Sequence, residues 1–375
     1  NMDTEGYSRI TWQDTGQNVH FRSGSHASLV DMRDVTIEDE IQTLDNMTMN
    51  FVDLVNEVHR DGYGINGTTG NNFFSEYPFV TNVNGNYDRN GDGDYDSSYI
   101  YRINGTNVLE PQAQVGLEGM ITLSGVVGGN MQIPYYPTDT VSDIITRINN
   151  SGAEVVARLN RDGQLSLKAT TASTVEGLEM QNPDFVIRHV EDSGHFLAGY
   201  AGILSGSGPE ASYDWARADA VEVLQGGAEQ YALAPIAHPS GWIEVNTALL
   251  RDPGSVASGF GINGHTANPG NGDAAAAIAS IRNSPVMVGQ LGTFDDYFAD
   301  AVGRIGTLAQ ETGRSLETQN LIMKQLKDMR ESVSGVNIDE ELANMIKYQH
   351  GYAAAARFIT TVNSMLDTLI NRMGV

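Results

Sequence analysis

The sequence predicts an α+β protein: an α-helical core built from the N- and C-terminal segments, with an inserted β-rich domain (strands plus a short helix) projecting outward. Three observations carry this. Apolar residues recur at spacings of three and four near both ends of the chain, the period of a helix that buries one stripe. Residues 74–241 are rich in Gly, Asn, Asp, Ser and Thr and hold short alternating runs, the period of half-buried strands. The 375 residues suffice for two to three domains. The expected divisions are 1–75 and 242–333 for the helical core, 76–241 for the β-rich insertion, and 334–375 for a C-terminal assembly helix.

Residues 1–25 read as an extended or strand-rich segment. A helix follows from about Asp34 to His59, on a stripe of Ile37, Ile41, Leu44, Thr48, Phe51, Val55 and Val58, and Gly62 and Gly64 end it. In the middle, Met120–Gly125, Glu154–Asn160 and Gln164–Ala169 alternate as strands, and Arg161-Asp162-Gly163 between the last two signals a hairpin. Thr140–Gly152 reads as a short amphipathic helix, with Ser142 as N-cap and Gly152 past its end. Two Gly-rich runs, Gly259–Gly264 and Asn268–Asp273, lack the lysine of a phosphate loop; Asp273 instead caps an Ala-rich helix over Ala274–Ser280. A long helix spans about Phe294 to Val333. Its Gly303, Gly306 and Gly313 each weaken it by about 1 kcal/mol relative to Ala.

The tail, Ser334–Val375, holds one seam. Leu342, Met345, Gln349, Tyr352, Ala356, Ile359, Asn363, Leu366, Ile370 and Met373 alternate spacings of three and four, and Ala353–Ala356 permit close approach at its middle. A chain of this size does not easily bury two long terminal helices along their whole lengths. The stripe therefore reads as an assembly interface, carried by Leu342, Met345, Ile346, Tyr352, Ile359, Leu366, Leu369 and Ile370.

Composition excludes several classes. With no cysteine there is no thiolate catalysis, no Cys-based zinc site and no disulfide. A net charge of −25 opposes binding to nucleic acid or anionic lipid. No apolar run reaches the roughly 18 residues of a membrane helix, and no cleavable signal peptide is expected. The motif nearest to a ligand site is Asp88–Asp96. Asp88, Asn90, Asp92 and Asp96 stand at positions one, three, five and nine of a calcium loop, Gly93 at six, and Asp94 would offer its carbonyl at seven. Position twelve is Tyr99 rather than a bidentate Glu, so calcium and a solvated turn between strands are both open readings. His189 and His195, with Asp192 between them, fit no common zinc spacing and read as exposed loop residues. His350 reads as a packed or solvent-facing helical residue. No catalytic constellation is present in the sequence.

The stretch from Ser334 to Ile370 resembles the C-terminal signature of bacterial flagellar axial proteins, and its SGVN-DEE opening is nearest to the hook-associated protein 1 family. Asn1–Arg9, Ser23–Phe74 and Trp242–Gly259 resemble further segments of that family, in its order, and together with the tail cover well over half the chain. The order strand, helix, hairpin over the middle is similar to a small module inserted in flagellins and hook-associated proteins. Where the family has a long helical region after its opening motif, only a short bridge joins Arg9 to Leu29 here. The resemblance implies an extracellular, non-enzymatic structural protein at the hook–filament junction, passed through the flagellar export channel and needing no cofactor, with calcium the one candidate. Its implied partners are other copies of itself in a ring, the hook protein, the second junction protein and an export chaperone. Alternatives are another axial protein, or an extracellular calcium-binding adhesive or carbohydrate-active protein.

Overall fold

The computed structural model describes residues 10–17, 19–75, 86–87, 97–125, 129–170, 185–217, 220–227, 230–234, 238–241, 243–261, 268–287, 292–335 and 337–372. Contacts divide the chain into two compact units, Asn1–Ala301 and Val302–Val375. The α+β expectation holds: helices lie toward both ends and a β-rich region lies between them.

The first helix begins earlier than the stripe indicated. α1 (Gly24–Asp31) passes through a wide turn at Met32–Ile37 into α2 (Glu38–Asp61). The buried face of α2 matches the predicted stripe only toward its end, where Val55 is buried and Val58 packs beside it. Ile37, Leu44 and Phe51 are exposed, whereas Val52, Asp53, Leu54, Val55, Asn56 and His59 are buried. Polar side chains, which the apolar count passes over, make half of that buried set.

After α2 the backbone turns tightly. β1 (Gly62–Tyr63) will later pair with the far end of this unit, and a Cβ on Gly64 would lie 2.4 Å from the Gly254 carbonyl oxygen, so only glycine fits. The short strands β2 (Asn86–Tyr87) and β3 (Ser97–Ser98) pair antiparallel on either side of the Asp88–Asp96 run, whose own residues lie outside the described ones.

The β region holds two four-stranded antiparallel sheets. β4 (Ile100–Val108), β5 (Gly119–Ser124) and β6 (Asn130–Tyr135) precede the short helix α3 (Val141–Asn149), and β7 (Val155–Leu159) and β8 (Gln164–Ala169) form the expected hairpin. β9 (His189–Asp192), β10 (Tyr213–Asp214) and β11 (Tyr231–Leu233) complete the sheets, in the orders β10-β9-β5-β6 and β11-β4-β8-β7. One apolar core serves both, including Ile103, Ile121, Leu123, Ile133, Leu165, Leu167 and Phe196. α3 contributes Val141, Ile144 and Ile148 to it.

Thr140, not Ser142, caps α3. Its Oγ1 accepts from the Asp143 backbone N–H at 3.2 Å, and the Asp143 carboxylate accepts from the Thr140 N–H at 2.9 Å. Ser142 is displaced because the reciprocal pair needs a carboxylate three residues after the cap, and only Thr140 has one. Asp192 is fully buried and organises the turn after β9, accepting from Tyr135 Oη at 2.9 Å, Gly194 N at 2.9 Å and Leu197 N at 2.7 Å. His189 is therefore not a loop residue: it sits half-buried in β9, and only His195 is exposed.

The chain then returns to α2. α4 (Thr247–Arg251) is capped by Asn246, β12 (Gly259–Phe260) pairs with β1, and α5 (Asp273–Ile281) packs on α2. Gly272 holds the cap position of α5, so Asp273 is the first helical residue rather than the cap. Leu54, Val55 and Ile281 form a second, smaller core with Val58, Phe73, Phe74, Val286 and Phe294 around it. α6 (Phe294–Ser334) starts there, with the Phe294 ring edge-on to Phe51 at 5.9 Å.

Candidate assembly interface and a polar seam

α6 runs from Phe294 to Ser334, and α7 (Ile338–Asn371) follows after a break at residues 335–337. The break is built from sequence. Gly335 leaves the helix with its N–H on the Glu331 carbonyl, and Asn337 caps α7 by accepting from the Asp339 N–H at 3.1 Å. Asp339, Glu340 and Glu341 then occupy the first turn, where carboxylates complement the helix dipole.

Within the unit Val302–Val375 apolar residues of both helices are exposed, Leu316, Ile322 and Leu326 among those of α6. Leu342, Met345, Ile346, Tyr352, Ile359, Leu366, Leu369 and Ile370 are all at least 46% exposed, and α7 has no buried residue. The tail thus presents the predicted residues along one helix, open to a partner. His350 is exposed on that helix. The assignment of the stripe as an interface is taken up below as a proposal. Asp88, Asn90, Asp92, Asp94 and Asp96, the calcium candidates, lie outside the described residues. Among those described, no group of three or more His, Asp or Glu is placed to hold a metal, and no helix is long and apolar enough to cross a membrane.

Sequence reasoning missed a polar seam between α2 and the sheet β11-β4-β8-β7. Along that sheet, alternate residues face opposite ways. Ile103, Ala157, Leu165 and Leu167 point into the apolar core. The intervening Arg102, Arg158 and Lys168 form a basic face, and α2 lies over it. Asp53 contacts Arg102 of β4 and Lys168 of β8 and stands 3.9 Å from Arg158 of β7. One turn on, Glu57 contacts Arg158 and accepts from the Arg161 backbone N–H at 2.7 Å. Another turn on, Asp61 lies 3.1 Å from Arg161, whose guanidinium also stacks 3.7 Å over the Phe260 ring.

The three acids stand at i, i+4 and i+8, one face of a helix. Asp53, Arg102 and Lys168 are each no more than 6% exposed. Burial is the largest influence on Glu57 and pushes its carboxyl up, but Arg158, Lys168 and the Arg161 N–H outweigh it and hold the group below the ordinary value. Burial, with Arg158 next to it, draws Arg102 down to about 10. Burial and then Arg158 hold Lys168 well below the ordinary lysine range, against the pull of Glu57.

Two further pins fix α2 without apolar contact. Asp45 accepts from His238 Nδ1 at 2.7 Å and the Ser240 N–H at 2.9 Å. His59 is 1% exposed and bridges two strands of chain: its Nε2 accepts from the Ala257 N–H at 2.9 Å, so Nδ1 carries the proton given to the Asn71 carbonyl at 2.6 Å.

The chain matches three known families in separate segments. The flagellar hook-associated protein FlgK helical domain matches residues 1–74, the flagellin hook IN motif 121–171, and the flagellar basal body rod FlgEFG protein C-terminal segment 330–373. The second falls on β5 through β8 with α3, the third on α7. Flagellar hook-associated protein 1 of Bacillus subtilis (strain 168) is 31% identical over 142 residues, 38% of this chain. The proteins of the same name from Salmonella typhimurium and Escherichia coli (strain K12) are 39% and 35% identical over 95 residues, 25% of this chain. These alignments span 27% of the Bacillus relative and 17% of each of the other two. With a hook-associated helical domain match at residues 1–74, the hook motif within the β region and the rod-type C-terminal match at 330–373, in that order, the chain is similar to flagellar hook-associated proteins.

Proposed function

We propose that this protein is a structural, non-catalytic component of the bacterial flagellum that joins hook to filament, outside the cell, by assembling through its C-terminal helices. The observation that supports this best is the open stripe of α7, which coincides with the segment matched to axial rod proteins. An apolar face of this length is costly to leave in water, at about 25 cal/mol per Å². Copies of the chain would cover it by packing α7 against α7 or α6 of neighbours in a ring, with knobs into holes along the three–four stripe. The hook protein and the second junction protein are the proposed neighbours on either side, and an export chaperone the partner that covers the stripe before assembly.

The test is Leu366→Asp in the source bacterium. Leu366 is exposed and touches no core, so the β region should stay folded. Incorporation should fall below detection, leaving hooks without filaments under the electron microscope and unpolymerised flagellin in the medium. Normal filaments on that variant would overturn the proposal.

A further inference from the structure

The β region is joined to the helical stem through ions, and we propose that this seam is a charge latch: the β-rich domain is held against α2 by the carboxylates of Asp53 and Glu57, and comes free as a folded body when they are neutralised.

The two apolar cores carry the first half of this. One lies wholly among residues 99–234, with Met49 the single α2 residue packed at its edge. The other gathers Leu54, Val55, Ile281 and the phenylalanines. α2 turns its apolar side to the second core and its acidic side to the sheet. Each body thus keeps its own apolar core when the seam opens.

The second half is the charge balance. Asp53 meets Arg102, Lys168 and Arg158 from three adjacent strands, and Glu57 meets Arg158 and the Arg161 N–H. With both carboxylates present, buried cations are compensated. With both neutralised, the buried Arg102 and Lys168 and the half-buried Arg158 lose the carboxylates that face them, and taking the cations back into water favours separation. Asn50, 3.4 Å from the Lys168 ammonium, is too weak a partner to hold them. The peripheral Asp61–Arg161 pair is partly exposed and contributes little by itself.

The chain has no cysteine, so spin labels can be placed uniquely. Leu44→Cys on α2 and Gln112→Cys on the β region are both exposed sites for a label pair. In the parent chain the distance distribution between them should be one narrow peak. In Asp53→Asn/Glu57→Gln the narrow peak should be lost, while amides of β5 and β6 keep their protection against hydrogen exchange. A narrow peak that survives, or protection of β5 and β6 lost together with it, would overturn the latch. The charge exchange Glu57→Arg/Arg158→Glu provides the second arm: each single change should broaden the peak and the pair should restore it, and failure of the pair to do so also counts against the proposal.

Discussion

His59 shows how a single side chain ties this fold to pH. Burial lowers its pKa in the folded protein, only partly opposed by the hydrogen bond to Asn71. Above the ordinary imidazole value of 6.5 both folded and unfolded states are neutral, and its full contribution is present. As pH falls below that value the unfolded chain takes up a proton that the folded chain refuses, so stability falls until the lowered folded pKa is passed. Calorimetry on the whole chain, scanned downward from about pH 7.5, should show the unfolding midpoint of the unit Asn1–Ala301 dropping over this window. His59→Gln should flatten that slope, since the amide oxygen still accepts from Ala257 but does not titrate. Truncation to Ala should cost about 1–3 kcal/mol, the penalty of a buried N–H left unmade. An unchanged slope in His59→Gln would place the titration elsewhere. Glu57 acts at lower pH and with the same sign: its folded carboxyl lies below the ordinary 4.5, so its contribution is present above 4.5 and is lost as pH falls through the folded value.

Among the elements, α2 was the least legible in the sequence and α7 the most. The apolar residues predicted for the α7 stripe are exposed, and none of its described residues is buried, so its three–four pattern stands uninterrupted by packing. The same spacing method found only part of the buried face of α2, Val55 and Val58. It found the row Ile37–Leu44–Phe51, which is exposed, and overlooked the row Asp53–Glu57–Asp61, since spacing rules count apolar residues and the buried partner face is basic. The matching alternation in β4, β7 and β8 reads in sequence as a solvated outer face, and nothing local shows that a helix covers it. Acids at i, i+4 and i+8, together with Arg102, Arg158 and Lys168 at alternating strand positions, were the available signal. At α3 the capping box was legible as Thr140 with Asp143 three residues on, but the cap was read two residues late. For α6 the glycines give an element-scale test. A Cβ on Gly303, Gly306 or Gly313 meets nothing within 4 Å. Substitution of each by Ala should raise helix stability by about 1 kcal/mol, read as increased helical circular dichroism of a peptide covering residues 294–334. No increase would mean that these glycines do not limit the helix.

On the scale of the whole molecule, the division into helical ends and a β-rich middle was legible because the two periods occupy separate stretches of chain. The seam between them was not, because it depends on residues as far apart in the chain as Asp53 and Lys168 meeting across α2, and no local pattern reports such a distance. The open stripe of α6 and α7 has one consequence for how copies meet. Each chain carries 25 net negative charges while also presenting exposed apolar residues along α7. Two such bodies repel over the screening length, about 10 Å at 0.1 M salt, and attract only on contact. That combination makes a colloid with a barrier: a dilute, low-salt solution stays dispersed despite its sticky strip, and added salt lowers the concentration at which particles first cluster. Light scattering of the purified chain against sodium chloride should show that threshold falling steadily, and a threshold indifferent to salt would mean that charge has no part in keeping the strip uncovered.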